Sequence, residues 1–201
     1  MDTEYLSEEK WEKKLKIRTR GGANHEADGD NFPYEPTPYC VLVRLAGSGI
    51  LSEKNTLVDY GCGKGRTVFL LSYLTRCRAI GIDYSEEMIE AANENLRSSG
   101  MKNIRFIHGL AQEYEIEDAD SFFFFNPFSE EILRRVLDQI LWSWYENPRR
   151  MRLMFYYPKD EDVTILMTTD ELMFADEIDC SDLFGGGNAR ERILIFETPS
   201  E

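Results

Sequence analysis

The sequence predicts an α/β protein of three layers: a doubly wound, mostly parallel seven-stranded sheet that ends in an antiparallel hairpin. Three observations predict it. From residue 57 onward, apolar runs of four or five residues alternate with helix-length periodic segments, the pattern of successive βαβ units. Residues 122–125 are four consecutive phenylalanines, and a strand apolar on both faces belongs in the middle of a parallel sheet covered by helices on both sides. The last two apolar runs, 173–178 and 192–196, have no crossover helix between them and enclose Gly185, Gly186 and Gly187. They are expected to pair as a hairpin at the sheet edge.

The elements follow in order. Residues 1–20 predict a short helix with Leu6, Trp11, Leu15 and Ile17 as a loose apolar stripe. The plain reading is a solvated arm packed at one edge; the functional reading is a lid or a substrate grip. Residues 21–38 are rich in Gly, Asn, Asp and Pro, the chemistry of turns and loops. Asp28, Asp30 and Asn31 lack the ligand spacing and closing glutamate of a calcium loop. Pro36 and Pro38 hold the segment from Tyr34 to Tyr39 extended. A helix over 40–47 precedes the first strand, so the expected division is an arm and loop at 1–38 and one domain at 39–201.

Strand 57–60 leads into helix 66–76, and strand 79–83 into a helix that Ser85 caps and Gly100 stops. Strands follow at 104–108, 121–125 and 153–157. Ser129 is placed to cap a long helix over 130–145, and a short helix is expected over 160–168.

Composition narrows the class. The 201 residues carry a formal charge of −14, so the average surface repels phosphate backbones. The charge is uneven, because residues 10–20 hold six basic residues (Lys10, Lys13, Lys14, Lys16, Arg18, Arg20) against the single acid Glu12. An RNA contact through this stretch is therefore carried forward, with the acidic body arguing against it. Cys40, Cys62, Cys77 and Cys180 form no Cys-x-x-Cys pair, and His25 and His108 form no cluster, so no metal is expected. No apolar run approaches the ~20 residues of a membrane span, and the expected location is cytoplasmic.

The chemistry centres on residues 56–66. An apolar run ends in Asp59, and Gly61, Gly63 and Gly65 follow at alternate positions before a helix. Such a turn presents backbone N–H groups and a helix N-terminus to a ligand. Asp83 lies eighteen residues beyond Gly65 at the end of the next strand, where a carboxylate accepts ribose hydroxyls. A nicotinamide dinucleotide would need a glycine at position 66, which is arginine.

Val58-Asp59-Tyr60-Gly61-Cys62-Gly63-Lys64-Gly65-Arg66 resembles the first motif of the class I S-adenosylmethionine-dependent methyltransferases, acid-x-Gly-x-Gly-x-Gly. Gly81-Ile82-Asp83-Tyr84-Ser85 resembles their second motif, Gly109-Leu110-Ala111-Gln112 the third and Phe125-Asn126-Pro127-Phe128 the fourth. The resemblance spans about residues 39–196 and implies S-adenosylmethionine as cofactor, with S-adenosylhomocysteine as product. It implies that Asp59 and the turn through Gly61, Cys62, Gly63, Gly65 and Arg66 hold the methionine part, that Asp83 binds the ribose and that Tyr84 lies against the adenine. Leu110 and Ala111 would line the adenine pocket, and Gln112 stands in for the acid or amide frequent at position 110. Thr37 and Tyr39 are the residues of the preceding segment expected near cofactor or substrate.

Asn126-Pro127-Phe128 resembles a shortened form of the Asn-Pro-Pro-Phe/Tyr motif of methyltransferases that act on planar amino nitrogens. There the asparagine oxygen accepts an N–H of the acceptor and frees the nitrogen lone pair, while Phe128 would stack on the planar group. The plain alternative is that Asn126-Pro127 ends a buried strand, with 122–125 as core and Cys62 as a small filler. The acceptor (nucleic acid, protein or small molecule) stays open. So do two other classes, an aminopropyl transferase and a non-catalytic cofactor-binding module.

Overall fold

The computed structural model describes residues 7–21, 35–125 and 128–199. Seven strands, β1 (Thr56–Tyr60), β2 (Arg78–Asp83), β3 (Ile104–His108), β4 (Ser121–Phe124), β5 (Arg152–Tyr156), β6 (Met173–Asp179) and β7 (Arg192–Glu197), form one sheet in the order β3-β2-β1-β4-β5-β7-β6. The first five pair in parallel, and β7 pairs antiparallel with both β5 and β6. The expected mixed sheet and C-terminal hairpin are both present.

Side-chain alternation along the central strands explains why the phenylalanine run is tolerated. Leu57 and Phe123 join one core, with residues of α2 (Tyr39–Gly47) and α3 (Arg66–Thr75). Val58, Tyr60, Phe122 and Phe124 join the other, with residues of α5 (Glu130–Glu146) and α6 (Asp160–Met167). Phe124 stacks on Phe155 across the β4–β5 pair, with centroids 4.3 Å apart. Each fully buried aromatic or aliphatic side chain of this kind contributes ~1.5–3 kcal/mol.

Helix α4 (Glu86–Ser99) begins and ends as its sequence demands. Ser85 Oγ accepts the Met88 N–H at 3.4 Å, and Gly100 closes the last turn in the left-handed region at φ 70°. At α5 the expectation fails. Ser129 occupies the N-cap position but makes no capping bond, and its buried hydroxyl has no partner among the described residues. Position alone does not make a cap, because the side chain must also take the rotamer that reaches back to the N2 or N3 amide.

The arm also departs from the solvated reading. In α1 (Glu8–Leu15) and the strap after it, Trp11, Leu15 and Ile17 are buried in the same core as α2 and α3. Leu6, the remaining member of the expected stripe, lies outside the described residues, as do residues 22–34. The edge strand β6 is exposed along almost its whole length. Its Asp176, Glu177 and Asp179 set charges on that edge, a pattern that discourages pairing with further strands. Among the described residues no helix is long and apolar enough to cross a membrane.

Candidate active site

The strand order changes direction at β1, which has β2 on one side and β4 on the other. Open parallel sheets bind ligands beyond the carboxyl ends of the strands at such a point. The turn after β1 is built for it. Gly61, Gly63 and Gly65 have φ values of 75°, 51° and 87°, a region that costs other L-residues ~1–2 kcal/mol each. The amides of Gly61 and Cys62 both donate to the Ile82 carbonyl, at 2.9 and 3.0 Å, and hold the turn against β2.

Asp83 completes the frame. Its Oδ2 accepts the Gly63 amide at 2.8 Å and its Oδ1 accepts the Ser85 amide at 2.9 Å, so both oxygens are aimed by backbone. A carboxylate has about four acceptor positions, more than these two amides take. The Gly109 amide donates to the Asp83 carbonyl at 3.0 Å, which brings the third motif to the same strand ends. There Leu110 is exposed, and Ala111 and Gln112 are half-buried in a short 3₁₀ turn. Tyr84 is exposed next to Asp83, and its carbonyl accepts a hydrogen bond from His108 Nε2 at 3.0 Å.

Two glycines answer to packing as well as to ligand approach. A Cβ on Gly65 would stand 2.5 Å from Phe106 Cζ, and one on Gly81 would stand 2.7 Å from both Cys62 Sγ and Phe106 Cδ1. The Phe106 ring thus occupies the space that side chains at 65 and 81 would need.

A cleft opens beside the turn, lined by Thr37, Asp59, Gly61, Cys62, Arg66 and Phe125, with Glu35, Pro36, Tyr60 and Thr67 completing its wall. Asp59 is buried there, and its pKa is pushed up to about 8, first by desolvation and then by the neighbouring Asp83, against a hydrogen bond with Thr67. No cationic side chain among the described residues offsets it. Burial, with Asp83 and Asp59 nearby, also raises the Cys62 thiol, which keeps it protonated and agrees with a filler rather than a nucleophile.

Three of the expected site residues make other contacts in the structure. Arg66 lines the cleft, but its guanidinium faces the N-terminal strap: it donates to Thr19 Oγ1 at 2.8 Å, Glu8 Oε1 at 2.9 Å and the Thr37 carbonyl at 3.3 Å. Tyr39 is buried beneath that guanidinium, 4.4 Å from it, and stacks on Trp11, so it does not line the cleft. Phe128 is buried with its ring edge-on to Phe124 and is not a free stacking platform. The apolar pull of that core outweighs its position near the site rim. Asn126 and Pro127 lie outside the described residues.

Sequence reasoning passed over Phe125, Thr67 and Glu35. Phe125 reads as the last residue of a core run, yet it sits at the strand end where the cleft opens. Its place beyond β4, the strand beside β1, was the available signal. Among the described residues no group of three or more His, Cys, Asp and Glu side chains is placed to hold a metal ion.

Residues 51–140 match the model of a methyltransferase domain family. The match takes in the glycine turn, Asp83 and the third motif. That stretch, a little under half of the chain, is similar to a methyltransferase domain. The chain is also similar to the uncharacterized methyltransferase YcgJ of Bacillus subtilis, 36% identical over 70 residues that make up 34% of this chain and 26% of that protein. A protein-lysine N-methyltransferase of Saccharolobus islandicus is 28% identical over 91 residues, 44% of this chain and 56% of that one. Curated relatives are thus matched over between 16% and 56% of their own length. Among solved structures, an RNA methyltransferase from Salinibacter ruber in complex with S-adenosyl-L-homocysteine superposes with a TM-score of 0.59. It is 19% identical, and the match covers 83% of this chain and 95% of that one, a likeness of fold.

Proposed function

We propose that this chain is a methyltransferase that uses S-adenosylmethionine and delivers the methyl to the nitrogen of a planar amino group. The observation that carries the reading is the pair of buried carboxyls at the switch point: Asp83, aimed by two backbone amides, and Asp59, buried with no cation beside it among the described residues. Asp83, fixed by two backbone amides, is the acid placed to accept two neighbouring hydroxyls of a ribose. Asp59 is a buried acid, bonded to Thr67, whose charge a ligand ammonium would offset, and it would lose its proton as that charge arrived. The three glycines bare the backbone of the turn to the same ligand. These residues fit S-adenosylmethionine, which when bound supplies an electrophilic methyl on a good leaving group.

The protein's own task is then alignment and the exclusion of water, worth up to ~7–11 kcal/mol in well-oriented reactions. Phe125 is the aromatic side chain on the cleft wall beside the turn, and in this reading it takes the stacking role first given to Phe128. Asn126 accepts an N–H of the acceptor. Residues 35–37 form part of one cleft wall, and the division into an arm and loop at 1–38 and one domain at 39–201 is retained. The comparisons name different acceptors for different proteins, an RNA in one and a protein lysine in another.

The test is calorimetry with S-adenosylmethionine and NAD on the purified chain. Micromolar binding of the sulfonium nucleoside, lost in Asp83→Ala, is expected; binding of NAD alone overturns the reading. Transfer of a tritiated methyl from the cofactor to RNA, protein and small-molecule fractions then identifies the acceptor, and a product methylated on oxygen or carbon would overturn the nitrogen assignment.

A further inference from the structure

We infer that the outer face of α1 and the strap after it form a docking surface for the phosphodiester backbone of a nucleic-acid strand that presents its base to the cleft. This rests on the methyl-transfer reading above and names its partner. The argument begins with how charge is sorted on the arm. Lys10, Lys13 and Lys14 are spaced three and four apart and share one helix face. Trp11 and Leu15 are buried in the core, and the Lys14 ammonium lies 5.1 Å from the Trp11 ring centre and 5.4 Å from that of Tyr73.

Two acids of the arm, Glu8 and Glu12, are consumed on the inner side, while Glu9 stays exposed among the lysines. Glu8 pairs with the buried Arg66. Glu12 is buried, and its Oε1 accepts the Thr19 and Arg20 amides at 2.7 and 2.8 Å while its Oε2 pairs with Arg20. Outward, Lys10, Lys13, Lys14, Lys16 and Arg18 are all exposed. Among the described residues none of them has a carboxylate partner.

The strap is fixed, and it leads to the site. Asn95 of α4 clamps the backbone of Arg18 on both sides, accepting its N–H at 2.8 Å and donating to its carbonyl at 3.1 Å. Lys64 of the glycine turn donates to the Gly21 carbonyl at 2.6 Å. The exposed cations therefore run from α1 to the turn on a backbone that is already ordered, and little further entropy is lost on binding.

The partner's chemistry follows from what surrounds the stripe. The chain as a whole carries −14, so its average surface repels a polyanion, and a local row of cations on the arm would set the strand's register. A membrane surface would need apolar side chains on the same face. Those of the arm, Trp11, Leu15 and Ile17, are 1%, 4% and 3% exposed.

The test uses the full chain and two dye-labelled 20-nucleotide single strands of the same mixed sequence, one RNA and one DNA, followed by anisotropy between 50 and 200 mM KCl. Salt-sensitive binding is expected, and the tighter strand identifies the class of nucleic acid. In the triple variant Lys10→Ala, Lys13→Ala, Arg18→Ala the affinity at 50 mM should fall at least about tenfold, and the slope of log K against log salt should drop by about 2, from ~0.7 per lost phosphate contact. Cofactor binding should stay at the wild-type value in the variant, so a failure of the cofactor reading would be seen separately. Absence of binding to both strands, or undiminished binding by the variant, overturns the inference. So would binding to vesicles containing phosphatidylserine without binding to either strand.

Discussion

The guanidinium of Arg66 lies 4.4 Å over the ring of Tyr39 and is almost wholly buried between the glycine turn and the N-terminal strap. From that position it holds Glu8, Thr19 and the Thr37 carbonyl, and so it ties α1 to the segment that walls the cleft. Lysine cannot serve three directions and a ring face at once. Arg66→Lys should destabilise the protein by roughly 2–4 kcal/mol, and Glu8→Gln by less than about 1, since Glu8 is exposed enough for water to replace the pair. Urea titrations would check both. Equal losses would show that the ion pair, rather than the whole cradle, carries the effect.

Asp59 should set a pH dependence. Its folded pKa is raised to about 8 from 3.8, so between those values the folded state keeps a proton that the unfolded chain has released. Stability therefore falls as pH rises from about 4 to 8. Asp59→Asn should melt a few degrees above wild type at pH 8, with the gap closing at pH 4, because ~1 kcal/mol corresponds to ~2–4 °C in a chain of this size. Cofactor binding to wild type near pH 7 should release a proton, read by calorimetry in buffers of different ionisation enthalpy, and the variant should release none.

Phe106 makes Gly65 and Gly81 unequal in their tolerance of a methyl group. Gly81→Ala meets only crowding, at 2.7 Å from Cys62 Sγ and Phe106, and should cost about 1–3 kcal/mol. Gly65→Ala adds a backbone at φ 87°, worth a further ~1–2 kcal/mol. Adding Phe106→Leu should recover part of the loss at 81 and less of the loss at 65. Melting temperatures of the single and double variants test the ordering.

The two helix-start serines should behave differently. Ser85→Ala removes a capping bond and should cost about 1 kcal/mol. Ser129→Ala removes a buried hydroxyl that bonds to nothing described, and it should be neutral or slightly stabilising. Chemical denaturation of the two variants side by side would decide it.

Much of the fold was legible because its signals are local. Apolar runs, the glycines, Ser85 and Gly100 each state a backbone preference that neighbours do not overrule, and the strands fell within a residue or so of their expected bounds. What failed depended on direction. Ser129 had the right type and position, and its side chain did not reach the amides. Phe125 and Phe128 are chemically alike and three residues apart; one lines the cleft and the other is buried against Phe124.

The sequence by itself determined the switch-point turn, because three glycines between an apolar strand and a helix admit few backbones, and an acid eighteen residues on has one place to go. Only the tertiary structure decided what Arg66 does. Its neighbours Glu8, Thr19 and Thr37 come from 58, 47 and 29 residues away. Contacts at such separations leave no period in the sequence, since they exist only after the strap has packed onto the core.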